Sequence, residues 1–285
     1  MIKKKYLPFG LLGLLAFLGF LAGCKTISMS PKERGSQADA IARVGGLSKE
    51  VIATNPFTIT TYYRINNEED SLRIYIEGDG FSWASPSRLS RDPTPKNPVG
   101  LRLASQDFHD NVLYIARPGQ FSDTAHAVDS RYWSLSRFSS EVLRSLGQVI
   151  DLYKEEYQLK NIQLVGYSGG GALAALLAAK RDDVHSLRTV AGNLDHQAFT
   201  KHHGVTPMSD SLNPADFPVT LSRIPQIHFV GDRDRVIPRK IAVSYLQEIG
   251  SPKCAELMVV EDATHHQGWT ENWEGLLRIP LINPN

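Results

Sequence analysis

Short apolar runs and longer amphipathic stretches alternate along most of this chain. Runs rich in β-branched and aromatic residues, each bounded by turn-forming residues, predict strands at residues 57–65, 72–76, 112–116, 162–165, 226–230 and 257–260. Between several of them the apolar residues recur at spacings of three and four, as on one face of an α-helix; the clearest series is Phe138, Val142, Leu146, Val149 and Tyr153. This alternation predicts an α/β fold, with a mainly parallel sheet covered by helices on both faces.

The first residues have a different pattern, which is typical of an export signal. Three lysines at positions 3–5 precede an uncharged apolar run that continues to Gly23. An uncleaved transmembrane anchor is the alternative, because about 18 apolar residues are just enough to span a bilayer. The run ends in the sequence LAGC at residues 21–24, which resembles the lipobox of bacterial lipoproteins. That resemblance implies a signal peptide over residues 1–23 and a mature chain bound to the lipid bilayer through an acylated Cys24.

The residues after the predicted lipidation site are mostly polar and small. Over residues 24–50 this composition predicts a tether, with a short helix around residues 38–44. Lys25 stands where many lipoproteins retained in the inner membrane have Asp, so the resemblance favours the outer membrane, with the protein facing the periplasm. Residues 51–285 contain no internal repeat or second boundary, which predicts one domain.

The composition fits this single domain and indicates which class of ligand it binds. Hydrophobic residues make up 42% and charged residues 21% of the 285 positions, enough for a sizeable core. The 31 Lys and Arg residues nearly balance the 30 Asp and Glu residues, so no strong field favours nucleic acid. We therefore expect a small molecule bound in a local pocket. Cys24 and Cys254 are the only cysteines, which excludes a disulfide framework, and no feature of the sequence indicates an oligomeric state.

A serine motif lies near the middle of the chain, where residues 166–170 have the sequence GYSGG and fit the pattern G-x-S-x-G. Glycine is needed there because the turn is so tight that flanking side chains would clash. A predicted strand precedes the motif, and residues 172–179, all Ala or Leu, form a strong helix signal after it. Ser168 therefore falls at a strand-to-helix turn that suits a nucleophile. A glycine-rich turn with an incidental serine is the alternative, and a phosphate-binding loop is disfavoured because no G-K-[ST] ending is present.

With this motif the sequence resembles the α/β-hydrolase superfamily, over roughly residues 55–280. In that family the nucleophile is followed along the chain by an acidic residue and then by a histidine. Residues 231–238, with the sequence GDRDRVIP, follow a predicted strand and are similar to the family's acid loop G-x-x-D-x-x-V-P. The resemblance implies that Asp234 is the acid, which orients the histidine and stabilises its protonated form. Asp232 in the same loop is the alternative.

Two histidines follow the last predicted strand. The family places its histidine in the loop after that strand, where this chain has His265 and His266. His265 is the preferred general base, because its spacing to Trp269 resembles that of related hydrolases, and His266 is the alternative. The remaining histidines show no clear metal-ligand spacing, so we expect neither a metal ion nor a cofactor.

Acyl transfer also needs hydrogen-bond donors for the oxyanion that forms on the substrate's carbonyl group. In the family one donor is the backbone N–H of the residue after the nucleophile, here Gly169, and another lies in the loop after the third strand. Residues 77–81, with the sequence EGDGF, occupy that loop, and Glu77 stands where the family commonly has His. This departure leaves the second donor open between Asp79 and Gly80. A simple glycine-containing turn is the alternative interpretation.

The resemblance as a whole implies a serine hydrolase that acts on a small acyl substrate through an acyl-enzyme. Carboxylester hydrolysis is favoured over peptidase, thioesterase or acyltransferase activity, although no specificity motif is present. Members of the family often carry a lid between the strands that here end near Ala191 and begin near Gln226. Only residues 192–225 intervene, which predicts an open pocket for short acyl groups. A binding or assembly lipoprotein that keeps the scaffold without turnover is the second function class.

Overall fold

The computed structural model describes residues 29–68, 70–123 and 125–283; the predicted signal peptide and Cys24 lie outside them. The strands are β1 Ser48–Ala53, β2 Thr58–Arg64, β3 Leu72–Ile76, β4 Trp83–Ser85, β5 Arg88–Leu89, β6 Val112–Ile115, β7 Ile162–Tyr167, β8 Val184–Val190, β9 Gln226–Gly231 and β10 Ala255–Val260. The α-helices are α1 Pro31–Val44, α2 Val99–Ser105, α3 Ser140–Glu156, α4 Gly169–Lys180, α5 His196–His203, α6 Pro218–Leu221, α7 Arg239–Glu248 and α8 Trp273–Leu277. Each strand predicted from the sequence is present, within two residues at either end.

One large sheet organises the chain, with the strand order β1-β2-β6-β3-β7-β8-β9-β10. β1 and β2 run antiparallel to their neighbours, whereas β6, β3, β7, β8, β9 and β10 are parallel to one another. β4 and β5 form a separate hairpin. The carboxyl ends of the parallel strands meet at one edge of the sheet, so loops that are distant in sequence come together there.

The two faces of the sheet are covered by two hydrophobic cores. Successive side chains on a strand point to opposite faces: Ile74 packs with α3 and α4, whereas Tyr75 packs with α1, α2 and α8. The predicted helical series Phe138, Val142, Leu146, Val149 and Tyr153 is fully buried. The predicted α/β fold, with a mainly parallel sheet and helices on both faces, is therefore confirmed.

The start of the folded body differs from the tether predicted over residues 24–50. Helix α1 begins with a capping box between Ser30 and Glu33, and Ala38 and Ala42 are buried on its side facing α2. Strand β1 then pairs with β2, so the predicted domain boundary at residue 51 falls inside a strand. The predicted short helix at residues 38–44 is the second half of α1. The sequence pattern did not indicate the first half or the packing of the helix, because its buried face consists of small alanines whose burial depends on a helix far along the chain.

The segment between β8 and β9 is fully described and contains only short elements. It holds α5, a turn of 3-10 helix at Pro214–Asp216 and α6, and it forms no separate cap. Its compactness leaves the carboxyl edge of the sheet covered by loops and short helices. Among all described helices, none combines the length and the apolar character needed to cross a membrane.

Candidate active site

Ser168 lies on a sharp turn between β7 and α4. Its backbone angles, φ 54° and ψ −120°, are strained for a residue other than glycine. A Cβ on Gly166 would come within 3.0 Å of the backbone of Gly170, and a Cβ on Gly170 within 3.0 Å of the backbone oxygen of Ile76. The glycines of the motif are therefore required by the close approach of backbone to backbone, and the turn holds Ser168 at the carboxyl edge of the sheet.

Three buried side chains from separate segments form a chain of hydrogen bonds. Ser168 Oγ lies 3.0 Å from His265 Nε2, and His265 Nδ1 lies 2.9 Å from Asp234 Oδ2. The other carboxylate oxygen of Asp234 accepts the backbone N–H groups of Val236 and Ile237, each at 2.8 Å. An imidazole placed between a hydroxyl and a carboxylate can take the hydroxyl proton while the carboxylate stabilises the resulting charge.

The two alternative residues of the same loops lie outside this chain of hydrogen bonds. Asp232 is exposed to solvent. His266 Nδ1 lies 2.9 Å from the hydroxyl of Tyr167, and burial, together with the neighbouring His265, holds the pKa of His266 below its ordinary value. The indole of Trp269 donates to the backbone oxygen of His265 at 3.0 Å, which gives a physical reason for the spacing between these two residues.

Glu77 anchors the loop that follows β3. Its carboxylate accepts the backbone N–H groups of Gly78 at 2.9 Å and of Gly100 and Leu101 at 3.2 Å, and the hydroxyl of Tyr114 at 3.1 Å. Burial raises the pKa of Glu77 above its ordinary value, although these hydrogen bonds oppose the shift. Gly100 and Leu101 belong to the first turn of α2, whose N–H groups have no acceptor within the helix. Glu77 therefore joins the loop to the start of α2, a role that its sequence position did not indicate.

The same loop presents two backbone N–H groups without a partner. Among the described residues, neither the N–H of Asp79 nor that of Gly80 has a hydrogen-bond acceptor, while the oxygen of Gly78 is fixed by Gln120 Nε2 at 3.0 Å. Gly169 is the first residue of α4, where the helix provides no acceptor for its N–H. The loop and the helix start are in contact, because a Cβ on Gly169 would clash with Oδ1 of Asp79. The loop that carries Asp79 and Gly80 therefore contacts the start of α4, and the N–H groups of both residues remain candidates for the second donor.

Two arginines that the sequence reasoning missed hold the side chain of Asp79. Arg117 Nη1 lies 2.9 Å from Oδ1 and Arg137 Nη1 lies 2.8 Å from Oδ2. Burial by itself would raise the pKa of Asp79, but the two guanidinium groups outweigh it and hold the pKa below its ordinary value. A signal for Arg117 was present in the sequence, because it directly follows the predicted strand at residues 112–116 and so reaches the same edge of the sheet. Arg137 precedes α3 and had no comparable signal.

Solved structures share this arrangement of strands and helices. A structure of an α/β serine hydrolase homologue from Coxiella burnetii is 17% identical to this chain, with a TM-score of 0.54 over 80% of this chain and 93% of its own. This chain has the α/β-hydrolase fold. An esterase from Pyrococcus furiosus is 14% identical, with a TM-score of 0.52 over 88% of this chain and 92% of its own. XC6422 from Xanthomonas campestris, an α/β serine hydrolase without a lid, is 13% identical, with a TM-score of 0.53 over 81% and 94%. Neither a protein-family model nor a curated protein sequence matches this chain.

Two clefts open near the site in this α/β-hydrolase fold. One, of about 210 Å³, lies beside His266 and Trp269. The other, of about 750 Å³, lies along α5 and the loop after it and includes Met208 in its wall. Met208 Sδ accepts a hydrogen bond from Arg137 Nε at 3.1 Å, so this larger cleft adjoins the arginines that hold Asp79. Within the part of the chain that the structure describes, no group of three or more His, Cys, Asp or Glu side chains is placed to hold a metal ion.

Proposed function

We propose that this protein is a serine hydrolase that cleaves carboxylic esters of small acyl groups through an acyl-enzyme. The observation that carries the proposal is the hydrogen-bonded chain from Ser168 through His265 to Asp234, with distances of 3.0 and 2.9 Å. Unpartnered N–H groups beside the serine supply the other requirement of acyl transfer, a place for negative charge on oxygen. Esters are the proposed class, in line with the Pyrococcus furiosus esterase of the same fold.

The first half-reaction forms the acyl-enzyme. Ser168 Oγ bonds to the carbonyl carbon as its proton passes to His265 Nε2, and the carbonyl electron pair moves onto the oxygen. This oxyanion accepts hydrogen bonds from the N–H of Gly169 and from that of Asp79 or Gly80; each such donor lowers the barrier by about 2.7–4 kcal/mol. As the carbonyl reforms, the ester C–O bond breaks and the departing alcohol takes the proton from His265.

The second half-reaction releases the acid. Water gives a proton to His265 and bonds to the acyl carbon, the oxyanion forms again, and Ser168 leaves as His265 returns the proton to its oxygen. Asp234 takes no proton in either half-reaction; its Oδ1 accepts two backbone N–H groups and its Oδ2 accepts the imidazole Nδ1–H. It is the residue that orients the imidazole.

We also propose that the enzyme is attached to the periplasmic face of the outer membrane through an acylated Cys24. The sequence LAGC at residues 21–24 supports this attachment. Residues 25–30 connect Cys24 to helix α1 at Pro31, and a fully extended chain of that length spans at most about 22 Å. The catalytic domain would therefore lie close to the bilayer rather than at the end of a long tether.

A fluorophosphonate probe tests the proposed nucleophile directly. The probe should label the wild-type protein at one residue, which mass spectrometry identifies as Ser168, and should not label Ser168→Ala. Ser134→Ala is the matched control, since Ser134 and Ser168 are equally buried at 8% exposure and Ser134 donates to the backbone oxygen of Ser130 instead. Labelling of Ser168→Ala, or no labelling of folded wild-type protein, would overturn the proposal in favour of a scaffold without turnover.

A further inference from the structure

A cluster of two arginines and one aspartate lies beside the proposed oxyanion site. Arg117 and Arg137 each donate one hydrogen bond to the carboxylate of Asp79, one to either oxygen, at 2.9 and 2.8 Å. The carboxylate itself lies against Gly169, where an added Cβ would clash with it. The cluster therefore borders the place that a substrate's carbonyl group would occupy.

The cluster carries an excess of positive charge. Both guanidinium groups are protonated at any ordinary pH, whereas Asp79 supplies a single negative charge. Glu77 also interacts with Arg117, but its oxygens are occupied by hydrogen bonds from other groups. Arg137 shares Asp79 with Arg117 and has no second ion-pair partner among the described residues. An unbalanced cation held inside a protein is costly, so its retention next to a reactive serine indicates that an anion is to be bound there.

Arg137 is the member of the cluster with unused hydrogen-bonding capacity. Its Nε donates to Met208 Sδ and its Nη1 to Asp79, but its Nη2 has no partner among the described residues. Arg117 has no free Nη group. Its Nη1 donates to Asp79 and its Nη2 donates to the backbone oxygen of Arg137, while its unpartnered Nε is buried. The side chain of Arg137 is also the more exposed of the two, at 13% against 4%.

Space for a ligand adjoins Arg137. Met208, which contacts Arg137, is part of the wall of the cleft of about 750 Å³, a volume in the range of small-molecule sites. Lys201 and Asp216 also line this cleft, so the two charges in its wall balance each other and Arg137 at its border is the unbalanced cation. His196 lines it too, with a buried Nε2 that has no hydrogen-bond partner. Apolar side chains such as Val205 and Met208 also line the cleft, so it suits a methylene chain that ends in a charged group at Arg137.

We propose that the cluster is an anion subsite, and that the preferred substrates are esters whose acyl part carries a second, ionised carboxylate, bound by Nη2 of Arg137. This inference rests on the proposed serine hydrolase activity. The acyl part is assigned to the side of Arg137 because the departing alcohol must face His265 to receive its proton, and Arg137 contacts Asp79 and Met208 rather than His265. Hydrolysis then yields a dicarboxylic acid and an alcohol from the half-ester and water, with no other reactant.

The test compares two chromogenic esters that differ in one charge: the 4-nitrophenyl half-ester of adipic acid and the corresponding ester of monomethyl adipate. Wild-type enzyme should hydrolyse the half-ester with a kcat/KM at least about tenfold higher, the preference expected from one charge-assisted hydrogen bond. Arg137→Gln should lower kcat/KM for both esters, because Asp79 loses a partner, but should lower that of the half-ester at least about tenfold more, mainly through KM. Arg137→Lys, which keeps the charge, should restore part of the preference.

Controls separate this inference from a merely structural role of Arg137. Arg131→Gln removes an exposed arginine from the same segment and should leave both esters unaffected. Equal losses on both esters in Arg137→Gln would mean that Arg137 only supports Asp79, and would overturn the inference. So would equal rates on the two esters in the wild type, or a stronger preference for an anionic leaving group, tested with the acetate ester of 4-hydroxy-3-nitrobenzoic acid. In all three cases fluorophosphonate labelling of Ser168 would persist, so the proposed hydrolase activity would stand.

Discussion

The hydroxyl of Tyr167 donates a hydrogen bond to the backbone oxygen of His265 at 2.8 Å, and its oxygen lies 2.9 Å from His266 Nδ1. Tyr167 is the residue immediately before the proposed nucleophile, so one side chain connects the serine turn to the histidine loop. The contact occupies the ring of His266 and leaves the ring of His265 facing Ser168. Two adjacent histidines are thereby given different surroundings.

Replacing each histidine in turn tests this difference. His265→Ala should lower kcat by about 10²–10⁴-fold or more, because only an imidazole in contact with Ser168 can take its proton. His266→Ala should lower kcat less than about tenfold, through loss of the contact with Tyr167. Steady-state kinetics on a neutral nitrophenyl ester provides the measurement. A larger loss in His266→Ala would exchange the two assignments.

The two aspartates of the acid loop form a second matched pair. Asp234→Asn should lower kcat on the order of 10⁴-fold, because an amide in place of the carboxylate favours the wrong tautomer of His265. Asp232→Asn should have little effect, since Asp232 is exposed. Circular dichroism should show that both variants are folded. If Asp232→Asn were the more damaging change, Asp234 would not be the orienting residue.

Glu77 provides a prediction about pH and stability. Because its pKa is raised in the folded state, the folded protein binds more protons than the unfolded one between pH 4.5 and that raised pKa. The stabilisation from this group is therefore fully present below pH 4.5 and is lost as the pH rises through the raised pKa. Glu77→Gln removes this dependence, so it should destabilise the protein by about 1–3 kcal/mol near pH 4.5 and by less at pH 7.

Urea denaturation of the wild type and of Glu77→Gln at the two pH values gives the measurement. Glu261→Gln, at an exposed position after β10, serves as the control and should show the same small difference at both pH values. A destabilisation by Glu77→Gln that is larger at pH 7 than at pH 4.5 would contradict the direction of the pKa shift.

The short segment between β8 and β9 predicts the preference for acyl length among neutral esters. With no separate cap over the site, no apolar lid covers a long hydrocarbon chain, so lengthening the acyl chain adds little binding energy. The protein without its anchor should therefore hydrolyse 4-nitrophenyl acetate and butyrate with higher kcat/KM than the decanoate. A steady rise with chain length, or a jump in rate above the substrate's micellar concentration, would disprove an open, short-chain site.

Lipidation of Cys24 can be tested in the intact chain expressed in a Gram-negative host. Mass spectrometry of the mature protein should find an N-terminal Cys24 carrying acyl chains, and fractionation should place the protein with the outer membrane. Cys24→Ser should prevent both, since the thiol is the site of attachment. An intact Met1 or an unmodified Cys24 in the mature protein would contradict the predicted anchor.

Much of the fold could be predicted because its signals are local. The β-branched runs and the helical series from Phe138 to Tyr153 carry their own periodicity, and every strand predicted from them is present. The serine turn was predictable for the same reason, since Gly166 and Gly170 are required by contacts within a few residues or with the neighbouring strand. Only the second half of helix α1 was predicted, as part of a tether, because the burial of its small residues depends on contact with α2.

The amino-acid sequence by itself therefore determined the alternation of strands and helices in the parallel part of the sheet, the serine at the turn and the two short loops from which Asp234 and His265 come. The sequence favoured Asp234 and His265 through its resemblance to a family and left Asp232 and His266 open. The tertiary structure adds the hydrogen bonds of His265 to Ser168 and Asp234, because the directions of neighbouring side chains in a loop are not encoded in a local pattern. The cluster of Asp79 with Arg117 and Arg137 was also decided there, since its members lie 38 and 58 residues apart in the chain. Asp79 and Arg117 meet because parallel strands bring their carboxyl ends to one edge of the sheet, and Arg137 reaches them from the segment before α3. No local spacing in the sequence indicates this meeting.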